Sequence, residues 1–411
     1  MVQPADTIRV NGDRLLSRLN ALGEVGDTGD GGSSRLALTD DDRAGRDLVV
    51  TWMRDLGLDV RVDVVGNVLA QWGDPDVAPV LMGSHIDTVR SGGRYDGNLG
   101  VLAALEVIES VIEAQTATAR PLAVAFFTDE EGARFAPDML GSLTYAGGLA
   151  PEAAHDIRAV DGARLGDELA RIGYLGPHPC PGPAPHAYVE LHIEQGPILE
   201  AEGIDIGVVE GVQGICWQEM IFTGQANHAG TTPMGLRHDA GYAAASIAVF
   251  VRRLTEEMGP PLVATVGSLG LRPDLVNVVP GRATMTVDVR HTDELALREA
   301  TQRVAAFSHE IALAEGLTVQ VRSLADFEPV AFDPAVVSLV ERTARRLGHS
   351  TRRLASGAGH DAQMLARMCP AGMIFVPSVG GISHNPAEYT APEDLEKGAN
   401  VLLHVALELA S

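Results

Sequence analysis

Cysteine is scarce in this 411-residue chain, which holds three, Cys180, Cys216 and Cys369, and no CxxC pair. So odd and widely spaced a set argues against a disulfide framework or a thiolate metal site, and reads as free thiols in a reducing compartment. Positive charge is also short, with 31 Lys and Arg against 55 Asp and Glu and a formal net charge of −24. Nucleic acid is therefore a poor partner, since neutralising phosphates needs a basic surface. A small anion stays within reach of a few locally placed arginines. No apolar run is long enough to cross a bilayer, and membrane partners are not expected. The start, Met1-Val-Gln-Pro-Ala-Asp-Thr7, lacks the basic and apolar regions of a secretory leader, so the expected location is the cytoplasm. Internal repeats, low-complexity tracts and coiled-coil heptads are missing as well.

What is present is ordinary in composition, 45% apolar and 21% charged, and too long for one hydrophobic core, so two domains are expected. Asp13–Leu22 and Asp40–Leu56 read as helices, the second opening on acids that suit a helix N-terminus. Val60–Val64 and Asn67–Trp72 read as short strands. Pro79–Ser84 and Leu122–Thr128 are buried-strand runs on either side of Asn98–Ala114, which is apolar at helical spacing. Strand, helix, strand at these intervals is a βαβ unit. A Pro-rich stretch, Pro177–Pro185, precedes the strand Ala187–His192. The texture then changes. Strand patterns at Trp217–Thr223, Leu262–Leu269, Arg282–Arg290 and Leu317–Leu324 alternate with helices at Asp239–Met258 and Asp293–Ala314. The helix Pro334–Leu347 and a βα unit, Gly372–Val376 with Glu393–Leu409, follow. The expected fold is α/β: a mixed, largely parallel sheet flanked by helices (1–211 and 329–411), enclosing an α+β domain on an antiparallel sheet (212–328).

Glu130 and Glu131 end the apolar run Leu122–Asp129 side by side. Two adjacent acids at a buried strand end repel and resist desolvation unless a positive charge sits with them, and a metal ion is the strongest candidate. His85 lies just past another strand, as Glu130 does, where open α/β sheets place ligand sites. His85, Asp87, Asp96, His192 and His384 stand in comparable settings. Taken singly, each histidine is more often structural, and Asp96 could merely cap the helix near Asn98. Together they supply donors for two borderline metals bridged by one carboxylate, with one glutamate left as a base. A purely structural metal site fits less well, because such sites close their coordination, usually with thiolates.

The segments Gly83-Ser-His-Ile-Asp-Thr-Val89, Gly93-Arg-Tyr-Asp-Gly97, Thr128-Asp-Glu-Glu-Gly-Ala-Arg-Phe135, Leu191-His-Ile-Glu-Gln-Gly-Pro197 and Ile382-Ser-His-Asn385 span nearly the whole chain. They resemble the amidase, hydantoinase and carbamoylase branch of the M20 metallopeptidase family. That branch holds N-carbamoyl-L-amino-acid hydrolases, allantoate amidohydrolases and β-ureidopropionases. The resemblance implies a metal-dependent amidohydrolase cleaving a ureido C–N bond, with two divalent ions (zinc, manganese or cobalt) per subunit. It implies that His85 and His192 share the first ion with Asp96 as the bridge, while Glu131 and His384 complete the second. Glu130 would be the general base, with Asp87 orienting His85 and Gln195 contacting the substrate. The inserted domain resembles a lid that also forms a homodimer. There His228, in Gln225-Ala-Asn-His228-Ala-Gly, would stabilise the transition state, and Asn277 and Arg290 would hold the substrate carboxylate. Gly359, in Gly357-Ala-Gly-His-Asp361, would line the same pocket; His360 and Asp361 are read as loop and helix-start residues. Bland alternatives stand beside these roles: His228 as a polar turn residue, and Arg290 on a solvated sheet face, paired with Asp288. An N-carbamoyl-L-amino acid is the favoured substrate, followed by allantoate and ureidopropionate; an M20 aminoacylase or dipeptidase is more distant.

Overall fold

The computed structural model describes residues 7–411. They divide into two compact units, residues 7–211 with Ala331–Ser411, and Val212–Val330. Among the described residues, nine strands of the first unit's sheet include four parallel neighbours, in the order Leu122–Phe127, Val80–His85, Ala187–Ile193 and Ala371–Val376. Every residue of these four strands is buried. This is why they read as mostly apolar runs instead of alternating ones. Antiparallel strands, Val68–Trp72 on one side and Ile206–Val212 on the other, make the sheet mixed.

The helix Asn98–Glu113 is buried almost all round. It packs on the sheet through the strands Val80–His85 and Leu122–Phe127, and is covered in turn by the helices Gly12–Gly23 and Pro392–Leu409. The helix Asp40–Asp55 starts at Thr39, whose hydroxyl accepts the Asp42 N–H. Its third acid is not solvated. Asp42 is fully buried, accepting Leu38 N–H at 2.7 Å and Arg46 Nε at 2.7 Å.

The second unit is a four-stranded antiparallel sheet in the order Thr318–Phe327, Gly214–Thr223, Arg282–His291, Val263–Arg272. The helices Ala240–Met258 and Glu294–Ala314 cover one face. Met285, Val287 and Val289 point into that core with Met220, Phe222, Ile247 and Val304. The strand Thr318–Phe327 runs longer than expected, so the unit extends to Val330.

Some elements differ from the sequence expectation. Three short helices, Leu140–Tyr145, Pro151–Asp156 and Leu165–Ile172, were not expected; six to eight residues are too few for a helical period to show. The strand Thr351–Ser356 is mostly half-exposed and carries two arginines, so it lacks an apolar run.

Candidate metal centre

The site forms beyond the carboxyl ends of the parallel strands. His85 closes one strand and His192 lies near the end of the next. The strand Leu122–Phe127 stops before Asp129, whose φ of 57° is left-handed and turns the chain. The loop after it is held from both sides. Asn67 Oδ1 accepts Thr128 N–H at 2.9 Å, and the Glu130 carbonyl accepts Met139 N–H at 2.7 Å. Gln195 and His384 also have positive φ, 56° and 51°. Gln195 and His384 line one pocket and Asp129 directly precedes Glu130 of the same pocket, so three non-glycine residues in this sparsely populated region mark stored backbone strain of the kind functional sites carry.

Five expected ligands converge. His192 Nε2 is 3.2 Å and His85 Nε2 3.7 Å from Asp96 Oδ1, while His384 Nε2 is 3.3 Å from Asp96 Oδ2 and 3.2 Å from Glu131 Oε2. They form two donor groups, His85 with Asp96 and His192, and Asp96 with Glu131 and His384, each with ligand atoms within 4.8 Å of one another. Asp96 belongs to both. It does not cap the following helix, whose N-cap is Gly97. Gly97 has φ 65°, and a β-carbon there would run into the His85 ring, so the approach of the Asp96 loop to His85 needs glycine.

The imidazole orientations suit cations. His85 Nδ1 lies 3.0 Å from the Asp87 carbonyl and His192 Nδ1 2.9 Å from the Ile193 carbonyl, which places each Nδ1 proton on the backbone oxygen. Both Nε2 lone pairs then face the Asp96 carboxylate, the His192 one also accepting Gly97 N–H at 3.2 Å. Lone pairs set against carboxylate oxygens need a positive charge between them, and a divalent ion fits this nitrogen and oxygen set. Without metal, protons take that place. Burial opposes charging His192, but the bond to Asp96 and its charge prevail and lift it to about 9. His384 is raised to about 11, chiefly by its bond to Asp96 and then to Glu131. Burial depresses His85 to about 4.

Asp87 requires a correction. The group on His85 Nδ1 is its main-chain carbonyl, while its carboxylate is 3.8 Å from that nitrogen. The carboxylate instead accepts Glu130 N–H at 3.2 Å and Glu131 N–H at 3.3 Å. Asp87 therefore orients His85 through its backbone and the glutamate pair through its side chain. Burial, then Asp42 and Glu131, raise it to about 7.

Glu130 is 7% exposed, with Oε2 3.4 Å from His85 Nε2. Burial first, then the charges of Asp361, Glu131, Asp87 and Asp96, hold its proton affinity well above the carboxylate range. Gln195 Nε2 donates to Asp96 Oδ2 at 2.8 Å, so it supports the carboxylate shared by the two donor groups directly. Its Oε1 is buried and, among the described residues, has no hydrogen-bond partner, while the residue itself lines the pocket. Gly359 lines the pocket, where a β-carbon would stand 2.9 Å from the Met139 methyl.

In the second unit, His228 pairs with Val278 in a two-strand ladder, and the Asn277 carbonyl accepts Ala229 N–H at 2.9 Å, so His228 and Asn277 are local neighbours. His228 is exposed, and its Nδ1 accepts N–H groups of Gly230 and Thr231 at 3.1 and 3.2 Å, which leaves its proton on Nε2. Arg290 forms an ion pair with Asp288 at 2.8 Å.

Two buried acids escaped the sequence reading. Glu190 accepts the Ser84 hydroxyl at 2.6 Å and Ala362 N–H at 2.9 Å. Glu388 accepts the N–H groups of Tyr95 and Asp96. The signal for Glu190 was a charge inside a strand that is otherwise buried and mostly apolar; Glu388, alone in a polar loop, gave none.

The chain is similar to several known proteins. It is 43% identical to an N-carbamoyl-L-amino-acid amidohydrolase of Rhizobium meliloti, over all of this chain and 99% of that protein. It is 39% identical to the allantoate amidohydrolase of Escherichia coli (strain K12), over 86% of this chain and 87% of that one. A crystal structure of an amidase of the hydantoinase/carbamoylase family from Burkholderia multivorans superposes with a TM-score of 0.96 at 46% identity, covering 98% of this chain and 99% of the other. The family model for peptidase family M20/M25/M40 matches residues 81–408. With relatives this similar along its full length and that match over most of its residues, the chain belongs to the M20/M25/M40 peptidase family.

Proposed function

We propose that this protein is a metal-dependent amidohydrolase that cleaves the ureido C–N bond of N-carbamoyl-L-amino acids, giving the amino acid, ammonia and carbon dioxide. The observation that carries the reading is the pair of donor groups sharing Asp96, with Glu130 beside them and committed to neither. His85, Asp96 and His192 would hold one ion, and Asp96, Glu131 and His384 the other, as zinc, manganese or cobalt. Divalent ions there supply charge that polarises a carbonyl and acidifies water.

Glu130 takes a proton from the attacking water and returns it to the departing nitrogen, a role its raised proton affinity suits. Asp87 holds the main chain of Glu130 and so aims its carboxylate. The orphaned Gln195 Oε1 offers an acceptor to a ureido N–H. In the second unit, the Nε2 proton of His228 suits a developing oxyanion, and Arg290 and Asn277 suit the carboxylate. Arg290 would exchange part of its pairing with Asp288 for a bidentate one with substrate. We assign Val212–Val330 as a lid that forms a homodimer; exposed Val263, Leu269, Leu275 and Val276 on and beside its edge strand support this. Three free cysteines suit a cytoplasmic enzyme.

The names of the relatives favour the carbamoyl amino acid, and the Escherichia coli relative makes allantoate the second reading. Ammonia release from N-carbamoyl-L-amino acids, allantoate and ureidopropionate, after loading with each metal, tests the choice. Turnover of the carbamoyl amino acids above the others is the expected result. Release of an amino acid from N-acyl substrates, without ammonia from any ureido compound, would overturn it.

A further inference from the structure

Glu388 belongs to neither donor group, yet it is a carboxylate only 6% exposed and three donors converge on it. Its Oε1 accepts Tyr95 N–H at 3.0 Å and Asp96 N–H at 3.1 Å, and its Oε2 accepts the Ser383 hydroxyl at 3.0 Å. Ser383 Oγ is also 3.2 Å from Asp96 Oδ2 and 3.3 Å from Gln195 Nε2. One carboxylate therefore ties the segment carrying Asp96 to the segment carrying His384. Two further features press the segments together. A β-carbon on Gly93 would overlap the Glu388 carboxylate, so glycine makes its place. Tyr389, the next residue, meets the Tyr95 ring edge-on at 6.2 Å.

The two donor groups depend on this link unequally. Asp96 is common to both groups, but the other two members of the first, His85 and His192, sit on parallel strands whose pairing fixes them whatever the loops do. His384 sits in a loop with its side chain 51% exposed and a left-handed backbone. We propose that Glu388 is a positioning residue that sets the separation of Asp96 and His384, and so governs metal affinity at the Asp96, Glu131 and His384 group selectively. The proposal rests on the reading that both groups hold ions.

The test is calorimetric titration of the metal-free protein with Co²⁺, followed by visible absorption, for wild type, Glu388→Ala, Glu388→Gln and Ser383→Ala. A parallel titration of His384→Ala identifies which step belongs to the second group. Residues that orient metal ligands typically contribute about 10–100-fold in affinity. Glu388→Ala should weaken the second-group step by about that factor and leave the other within roughly threefold. Glu388→Gln should recover most of the loss, because its Oε1 still accepts both N–H groups and its amide donates to Ser383, whose proton then goes to Asp96. Ser383→Ala, which keeps the N–H contacts, should show the same selective loss should the Ala variant fail to fold. Equal weakening of both steps, no weakening of either, or a Gln variant as weak as Ala would overturn the role of Glu388. A wild-type titration with a single step would overturn the two-ion reading, and the proposal with it.

Discussion

Replacing Glu130 by Gln should move activity and stability in opposite directions. The amide fills the same space 3.4 Å from His85 Nε2 but cannot take up a proton. Losing a general base costs about 10²–10⁴ in rate, or roughly 3–5 kcal/mol of transition-state stabilisation. Stability goes the other way in the metal-free protein. Burial and four neighbouring acids raise the folded-state pKa of Glu130 above its ordinary value of 4.5. A group so raised contributes stability that is fully present below its unfolded pKa and is lost as pH rises. At pH 7.5 wild type bears that loss, and a neutral amide does not. Metal-free Glu130→Gln should thus melt above metal-free wild type at pH 7.5, with the gap closing toward pH 4.5. The assays are ammonia release by metal-loaded enzyme and calorimetry of chelator-treated protein. A kcat within threefold of wild type would refute the base assignment, and a lower midpoint at pH 7.5 would refute the electrostatics.

Metal binding at pH 7.5 should release about two protons or more, because His192 and His384 titrate near 9 and 11 and must lose theirs, whereas His85, near 4, has none to lose. Calorimetry in buffers of different ionisation enthalpy measures this, and zero net release would contradict the charged states of His192 and His384 in the metal-free protein. Arg290→Ala should raise KM for carboxylated substrates roughly 10–100-fold, the worth of a charged hydrogen bond, with metal stoichiometry unchanged. Arg290→Lys should not restore it; an unaltered KM in the Ala variant would make Arg290 a surface residue. Arg46→Met leaves Asp42 buried and unpaired and frees the Gly66 carbonyl and Thr128 hydroxyl. Urea unfolding of the metal-free protein should show a loss of about 3–5 kcal/mol, and a loss under 1 kcal/mol would mean that water reaches the pair.

The four parallel strands were legible because full burial leaves no polar alternation to misread, and the candidate donors because each stands beside such a strand or within a Gly-rich turn. The helices of 140–172 were not, since their order comes from tertiary packing. Asp87 shows a subtler limit. The resemblance implied that Asp87 orients His85, but sequence alone does not distinguish the carboxylate of that residue from its carbonyl, and it is the carbonyl that meets His85 Nδ1. Glu388 shows another, because its partners, Tyr95 and Asp96, lie almost three hundred positions away and are main-chain N–H groups that leave no mark in sequence.

The adjacency of Glu130 and Glu131 has a structural cause as well as a chemical one. A left-handed Asp129 ends the strand, and one carboxylate, that of Asp87, caps both following N–H groups. With the main chain held at both residues, the side chains diverge: Glu131 to within 3.2 Å of His384, and Glu130 toward His85 and the charge of Asp361. That divergence supports the roles proposed for the two acids. His384 offsets part of the effect of burial on Glu131, keeping it closer to an ionised ligand. Burial and the charges of Asp361, Glu131, Asp87 and Asp96 make Glu130 hold a proton strongly in the metal-free protein. A base must both take a proton and give it back, and of the two acids Glu130 is the one whose surroundings favour the protonated form.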